Sequence, residues 1–241
     1  MKKSNFLLII STLGLMLSAG MAGEKPSRSL SIAIPEPSDI CLNGQSNGYY
    51  VVADDGFLFE TDTLGQILRK SPFRGFDFES VYMDSSGLYV LDERTRYLYQ
   101  IDPKTLRPIR TKELTYAGGR NKGFEALCRN PKNGRLIAIT EKEPSWIFEL
   151  NAGLEVVNRI RFSGLSDVSA ATVWKGQLLF LSDEDHCIAR ISPQDYTIEK
   201  RISIPVINPE GLAPTPSGQL VVSSDDQGRL YFFSDLSLLL P

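Results

Sequence analysis

The stretch that decides the fold is residues 76–94, FDFESVYMDSSGLYVLDER. Two short apolar runs, residues 81–83 and 88–91, flank the turn sequence DSSG, and acidic residues stand at both outer ends. This combination of apolar runs and a polar, glycine-bearing turn is typical of a β-hairpin. Because a hairpin brings its open ends together, Glu79 and Glu93 should lie at the same edge of a sheet.

The same hairpin recurs five times at a period of about 40 to 48 residues, which is typical of propeller blades. A third strand follows in every copy, but a fourth strand follows in only four of them. The segment LSIAIP at 30–35 is similar to ISIP at 202–205, so we expect the N-terminal strand to complete the last blade. The sequence therefore predicts an all-β fold, a single five-bladed β-propeller of four-stranded blades, with six blades as the alternative.

The N-terminal 22 residues have the layout of a secretory signal peptide. Lys2 and Lys3 precede an apolar run at 6–17, and small residues follow as far as Ala22. This pattern predicts cleavage near Ala22 and a periplasmic or secreted protein, with an uncleaved membrane anchor as the alternative. We expect residues 23–241 to form one propeller domain without a transmembrane segment, because no later apolar run is long enough to cross a bilayer.

The charge and the cysteines narrow the classes of function. Loss of the predicted signal leaves 24 basic and 29 acidic residues, a formal charge of −5, which argues against nucleic acid or an anionic membrane as the main partner. Three cysteines at wide spacing predict free, buried thiols rather than a disulfide framework. The single histidine, His186, argues against a multi-histidine metal site and a histidine-based triad. We expect a monomer.

Aligning the five copies places acidic residues in two columns. The outer column stands at the end of the second strand and consists of Asp54, Glu93, Glu141, Asp183 and Asp225. The inner column stands at the start of the first strand and consists of Ser38, Glu79, Glu125, Ser169 and Glu210. The first strand of a blade is nearest the propeller axis, and its start is beside the end of the second strand. Both columns should therefore meet at one end of the central channel.

Eight carboxylates in one place require compensation by a cation, by protons or by basic side chains. Two unit charges about 4 Å apart repel by roughly 1 kcal/mol in water and about 4 kcal/mol at an effective dielectric constant of 20. An oxygen-only ligand set favours Ca²⁺ over Zn²⁺. The sequence predicts calcium binding with the three inner glutamates as ligands and the five outer acids as further ligands or supporting groups. The alternative is that strand-end acids accept hydrogen bonds from turn amides.

A basic group lies in the connections that enter the blades, and it consists of Arg74, Arg120, Lys122 and Arg161. The same geometry places these side chains on the acidic face. Two interpretations stay open: they bind a small anionic ligand beside a metal ion, or they are solvated loop charges.

The motifs of the chain resemble the SdiA-regulated family of bacterial β-propellers, also called YjiK-like. The residues that carry the resemblance are DFE at 77–79, LDER at 91–94, NKGFE at 121–125, SDE at 182–184 and NPEGL at 208–212. The resemblance covers essentially the whole chain after the predicted signal. It implies a propeller outside the cytoplasm that associates with calcium and has no settled catalytic activity.

Three functional hypotheses follow. The first is a non-catalytic, calcium-binding propeller of the cell envelope. The second is a metal-dependent hydrolase of a phosphoester or a lactone, phytase-like or lactonase-like, with Glu79 or Glu210 as base and Arg120 or Lys122 holding an anion. The third is a platform for an envelope protein that uses the loop at 116–122. The chain has no nucleophile motif, so we favour a protein without catalytic activity.

Overall fold

The computed structural model describes residues 23–117, 123–142, 144–234 and 236–240. These residues form twenty strands in five four-stranded antiparallel sheets, and one short 3₁₀ helix, Ser237–Leu239. The predicted five-bladed propeller is confirmed, and the alternative of six blades is wrong.

Each blade is a meander of consecutive strands. Blade 1 consists of β2 (Asp39–Asn43), β3 (Gly48–Ala53), β4 (Phe57–Thr61) and β5 (Ile67–Arg74). Blade 2 consists of β6 (Phe78–Asp84), β7 (Gly87–Asp92), β8 (Tyr97–Asp102) and β9 (Arg107–Glu113). Blade 3 consists of β10 (Phe124–Arg129), β11 (Leu136–Thr140), β12 (Trp146–Leu150) and β13 (Val156–Arg161). Blade 4 consists of β14 (Ala170–Trp174), β15 (Gln177–Ser182), β16 (Cys187–Ile191) and β17 (Ile198–Ser203).

Blade 5 is completed by the N-terminal strand, as the sequence predicted. Its first three strands are β18 (Pro209–Pro214), β19 (Leu220–Ser224) and β20 (Arg229–Phe233), and β1 (Arg28–Ser31) pairs antiparallel with β20. Just outside this ladder, the Ser27 amide donates to the Phe232 carbonyl at 2.7 Å, and the Ile32 amide donates to the Gly228 carbonyl at 2.9 Å. The two ends of the chain thus hold the ring closed.

The hydrophobic core lies between the blades. Every residue of β3, β11 and β19 is buried, whereas the outermost strand β13 is mostly exposed. Each interface between neighbouring blades has its own apolar cluster, so five clusters encircle the axis. A fully buried aromatic ring at each interface, such as Phe78, contributes about 1.5 to 3 kcal/mol to folding. The apolar runs that identified the second strands in the sequence are therefore the parts that hold the blades together.

All three cysteines are free and buried. Within the part of the chain that the structure describes, no helix has the length and hydropathy needed to cross a bilayer.

Candidate functional site

One end of the central channel opens into an acidic cavity of ≈ 290 Å³. All eight acids of the two predicted columns line it, together with Ser38 and Ser169. Asp167, Glu184 and Lys142 complete the lining. Ten carboxyl groups thus share this cavity with one lysine among the described residues, and negative charge far exceeds positive charge.

The three inner glutamates point into the cavity because each occupies a β-bulge. In blade 2, Phe78 pairs with Asp92 and Ser80 pairs with Leu91, so Glu79 has no partner opposite it. The same shift leaves Glu125 unpaired between Phe124 and Ala126, and Glu210 unpaired between Pro209 and Gly211. A bulge inserts one extra residue and redirects its side chain.

Blades 1 and 4 have serine at the inner position, and their first strands begin at the next residue, Asp39 and Ala170. The Ser38 amide donates to the Val52 carbonyl at 3.0 Å, and the Ser169 amide donates to the Leu181 carbonyl at 3.1 Å. Val52 also pairs with Asp39, and Leu181 also pairs with Ala170, so each serine and the residue after it face a single residue of the second strand. Serine has a shorter side chain than glutamate, so blades 1 and 4 fill less of the cavity at the inner position.

The outer acids are held at the channel end by their backbone. Each directly follows the second strand of its blade. The Glu93 amide donates to the Asp77 carbonyl at 2.9 Å, and the Asp225 amide donates to the Asn208 carbonyl at 3.2 Å. Asp54 makes the equivalent bond in blade 1 at 3.2 Å. These bonds join the end of the second strand to the connection that enters the first strand, which places the two columns side by side.

In blades 2 and 4, carboxylates close to the outer acids accept hydrogen bonds from the turn after the second strand. Asp92 accepts hydrogen bonds from the Thr95 amide at 2.9 Å and the Phe76 amide at 2.8 Å. Asp167 accepts from the Asp183 and Glu184 amides, both at 3.1 Å. In these two blades, Asp92 and Asp167 accept the hydrogen bonds of the turn amides. Hydrogen bonding to the turn therefore does not by itself explain why an acid occupies the outer position.

The outer acids differ in how well they are satisfied. Asp54 accepts from the Ser38 hydroxyl at 2.6 Å, and Glu93 accepts from the Gly123 amide at 2.8 Å. One carboxylate oxygen of Asp183 and one of Asp225 are buried without any hydrogen-bond partner among the described residues. A buried carboxylate oxygen without a partner is costly, so these two atoms require a cation, a proton or water.

Lys142 partly neutralises one side of the cavity. Its ammonium group lies 2.7 Å from Glu141 and 2.8 Å from Glu184. Burial raises the pKa of Glu141, and the bond to Lys142 opposes that rise. The Lys142 ammonium group therefore neutralises acids of both blade 3 and blade 4. Among the described residues, the acids that blades 1, 2 and 5 contribute to the cavity lining form no comparable ion pair.

Burial and mutual repulsion raise the pKa of the three inner glutamates. Burial raises the pKa of Glu210 to about 8, and the charges of Asp183 and Asp225 add to the rise. Glu79 and Glu125 have pKa values well above the usual range for the same reasons. Without a cation, Glu210 therefore holds a proton at neutral pH.

A group of three carboxylates in blade 2 has the spacing that a metal ion needs. One oxygen each of Asp77, Glu79 and Glu93 can be chosen so that all three lie within 4.8 Å of one another. Burial, followed by the charges of Glu93 and Asp54, raises the pKa of Asp77 to about 6. Oxygen atoms this close attract a hard divalent cation, and the buried oxygens of Asp183 and Asp225 suit the same chemistry.

A family model matches residues 28–239 of the chain, and its description is SdiA-regulated. The chain belongs to the SdiA-regulated family. This SdiA-regulated chain is also similar in fold to solved structures. The first is the Myxococcus xanthus glutaminyl cyclase, at 16% identity and a TM-score of 0.69, with 88% of this chain and 97% of that chain covered.

Two further structures share the architecture with the SdiA-regulated chain. A streptogramin B lyase matches at 14% identity and a TM-score of 0.53, with 83% of this chain and 66% of that chain covered. The WD40 β-propeller domain of Doa1 matches at 13% identity and a TM-score of 0.51, covering 82% and 64%. Identities this low show a common fold and nothing further.

The two columns did not include three acids of this site in the SdiA-regulated chain. Asp167 and Glu184 line the cavity, and Asp77 belongs to the group of three carboxylates in blade 2. Asp77 and Asp167 each stand two residues before the inner position, in the segments DFE and DVS. A third column in the alignment of the copies would have found both. Glu184 follows Asp183 directly, and its place in the cavity depends on the path of the turn.

The predicted basic group is not part of the cavity lining where the structure describes it. Arg74 donates to the Asp55 carbonyl at 2.7 Å, and its guanidinium lies 5.3 Å from the centre of the Phe57 ring. Arg161 ends the outermost strand of blade 3 and pairs with Trp146. The predictions for Arg120 and Lys122 lie outside the described residues. An anion-binding role for these four residues stays a prediction.

Proposed function

We propose that this SdiA-regulated propeller binds a calcium ion in the acidic cavity and acts as a non-catalytic binding protein of the cell envelope, in the periplasm or secreted. The observation that carries the proposal is the pair of buried, unpartnered oxygens of Asp183 and Asp225 in a cavity with ten carboxyl groups. The predicted signal peptide at 1–22 supports the location.

The residues present fit a hard divalent cation. Ca²⁺ takes six to eight oxygen ligands at about 2.3 to 2.6 Å, and carboxylates and hydroxyls supply only oxygen. Asp77, Glu79 and Glu93 would hold the ion from blade 2, and Asp183 and Asp225 would contribute from blades 4 and 5. No histidine or cysteine lines the cavity in the described ranges, which disfavours Zn²⁺.

Calcium bound in this cavity would stabilise the folded propeller against unfolding. A bound cation would offset both the burial of Glu79, Glu125 and Glu210 and the mutual repulsion that together raise the pKa of these groups. Since these glutamates belong to blades 2, 3 and 5, one ion would link strands from several blades. In this proposal the protein binds a partner, such as an envelope protein, and the calcium ion holds the side chains of the binding face in place.

Calorimetric titration and thermal melts of residues 23–241, with Ca²⁺ and with Mg²⁺, test the proposal. We expect one tight Ca²⁺ site and a rise in melting temperature, with a weaker response to Mg²⁺ because Mg²⁺ demands a smaller and more regular shell. Glu79→Gln and Asp183→Asn should weaken Ca²⁺ binding. Glu113→Gln, at the exposed end of β9, is the matched control. Absence of any response to millimolar Ca²⁺ would contradict the proposal.

A second candidate is a metal-dependent hydrolase of phosphoesters or lactones. The observation that favours it is Glu210, whose pKa of about 8 allows a buried carboxyl group to exchange a proton near neutral pH. Phosphomonoesters, phytate and lactones assayed with Ca²⁺, Mn²⁺ and Mg²⁺ test this candidate. Turnover that is lost in both Glu79→Gln and Glu210→Gln would support it, and no turnover with any substrate would exclude these reactions.

A further inference from the structure

The opposite end of the central channel opens into a second and larger cavity of ≈ 530 Å³. It lies where the first strands of the blades end, beside Leu42 of β2, Asp84 of β6, Val173 of β14 and Pro214 of β18. It shares no lining residue with the acidic cavity. The two ends of the propeller therefore present two separate sites.

The lining of this second cavity is largely apolar. Its apolar side chains include those of Leu42, Met83, Pro103, Val173 and Pro214. Methionine thioethers and proline rings pack well against aromatic rings. This chemistry is the reverse of the acidic cavity, although both belong to the same channel.

The polar groups of the second cavity are neutral or already paired. Asp84 is the only charged side chain among its described lining residues, and it forms an ion pair with Arg129. Its other carboxylate oxygen accepts from the Ser86 amide at 2.6 Å. Burial raises the pKa of the Cys41 thiol and of the Tyr82 phenol, so both remain protonated at neutral pH. A charged ligand would find no free counter-charge here.

Tyr82 contributes an aromatic ring to the wall of the cavity. The side chain packs against the apolar clusters on both sides of blade 3. It also lines a neighbouring cavity of ≈ 360 Å³, whose lining again includes Val173 and Asp84. The two cavities adjoin at these shared residues, and the aromatic ring is accessible from this end of the channel.

We propose that this second cavity is a binding site for a neutral aromatic small molecule. Its volume lies within the roughly 300 to 1,000 Å³ of ligand sites in proteins, which are mostly apolar with a few placed polar groups. The Tyr82 ring and the proline and methionine side chains bind the ring of the ligand. The phenol, the Thr172 hydroxyl and the Gln45 amide are available to a single polar substituent.

The probe that tests this site is 2-naphthol, with 2-naphthoate as a charged ligand of the same shape. Titrations by ligand-observed NMR use residues 23–241 with saturating Ca²⁺, and again with EDTA. We expect saturable binding of 2-naphthol, and binding of 2-naphthoate that is weaker by about tenfold or more, because the site cannot compensate a buried charge. Binding should be similar with and without Ca²⁺, so this test does not depend on the metal proposal.

Val173→Trp fills the cavity, and Val157→Trp is its matched control on the exposed outer strand of blade 3. We expect the first variant to weaken 2-naphthol binding by about tenfold or more and the control to leave it unchanged. Met83→Glu is a second test if Val173→Trp does not fold, since it adds a charge to the wall. The proposal would be overturned if 2-naphthol and 2-naphthoate bound equally well, or if 2-naphthol showed no saturable binding. Equal binding of 2-naphthol by Val173→Trp and Val157→Trp would also overturn it.

Discussion

Replacing Glu210 with glutamine should stabilise the metal-free propeller at pH 7 and weaken its response to calcium. Glu210 is the inner acid of blade 5, and the carboxylates of Asp183 and Asp225 add to the effect of its burial. An amide has the size of the carboxyl group but cannot ionise. The substitution therefore removes the need to protonate this group, or to neutralise it with a cation, when the chain folds.

The magnitude follows from the shift in the pKa of Glu210, from 4.5 to about 8. At pH 7 the unfolded chain is ionised at this residue, so folding must add a proton at about 1.4 kcal/mol for each unit between 4.5 and 7. Glu210→Gln avoids this cost of about 3 kcal/mol. In a domain of this size, such a change raises the melting temperature by roughly 6 to 12 °C.

Thermal melts of the wild type, Glu210→Gln and Glu113→Gln in EDTA and in millimolar Ca²⁺ measure both effects. Ca²⁺ at a hundred times its dissociation constant stabilises the wild type by about 2.7 kcal/mol, and this gain should shrink in Glu210→Gln. The control variant should match the wild type in both buffers. A lower melting temperature for Glu210→Gln in EDTA would refute the reasoning, because it would mean that the carboxylate has a favourable partner in the folded state.

Three further predictions follow from the same structure. In EDTA, the unfolding free energy of the wild type in urea should fall as the pH rises from about 4.5 to 8, because the folded pKa of Glu210 is raised, and saturating Ca²⁺ should flatten this fall. Tyr196→Phe should cost about 1 to 3 kcal/mol in urea unfolding, because it removes a 2.7 Å hydrogen bond to buried Glu149; an unchanged midpoint would contradict this. A chain that starts at residue 33 lacks β1 and should associate through the open edge of β20, so a monomer with an unchanged melting temperature in light scattering would contradict the prediction.

The repeat made the architecture predictable from the sequence. Five copies of one apolar pattern require five similar sheets, and the likeness of 30–35 to 202–205 identified the strand that closes the last one. The same periodicity predicted that both acidic columns lie at one end of the central channel. The cavity lining contains every acid that the alignment selected.

The details of both cavities were not predictable from the repeat alone. The bulges at Glu79, Glu125 and Glu210 depend on one extra residue per strand, and a shift of one residue turns a side chain to the other face of a sheet. The charge compensation by Lys142 depends on contacts between two blades. The apolar cavity combines residues from four blades that no sequence pattern connects.

The closure of blade 5 has a consequence for the order of assembly. The segment Arg28–Ser31 is synthesised before blades 1 to 4, whereas its partner Arg229–Phe233 is synthesised after them. During translation, each of blades 1 to 4 can form from contiguous sequence. Blade 5 cannot be completed until β20 is available to pair with β1. Until β20 has been made, β1 has no ladder partner, so closure of the ring is a late folding step that depends on a long-range contact.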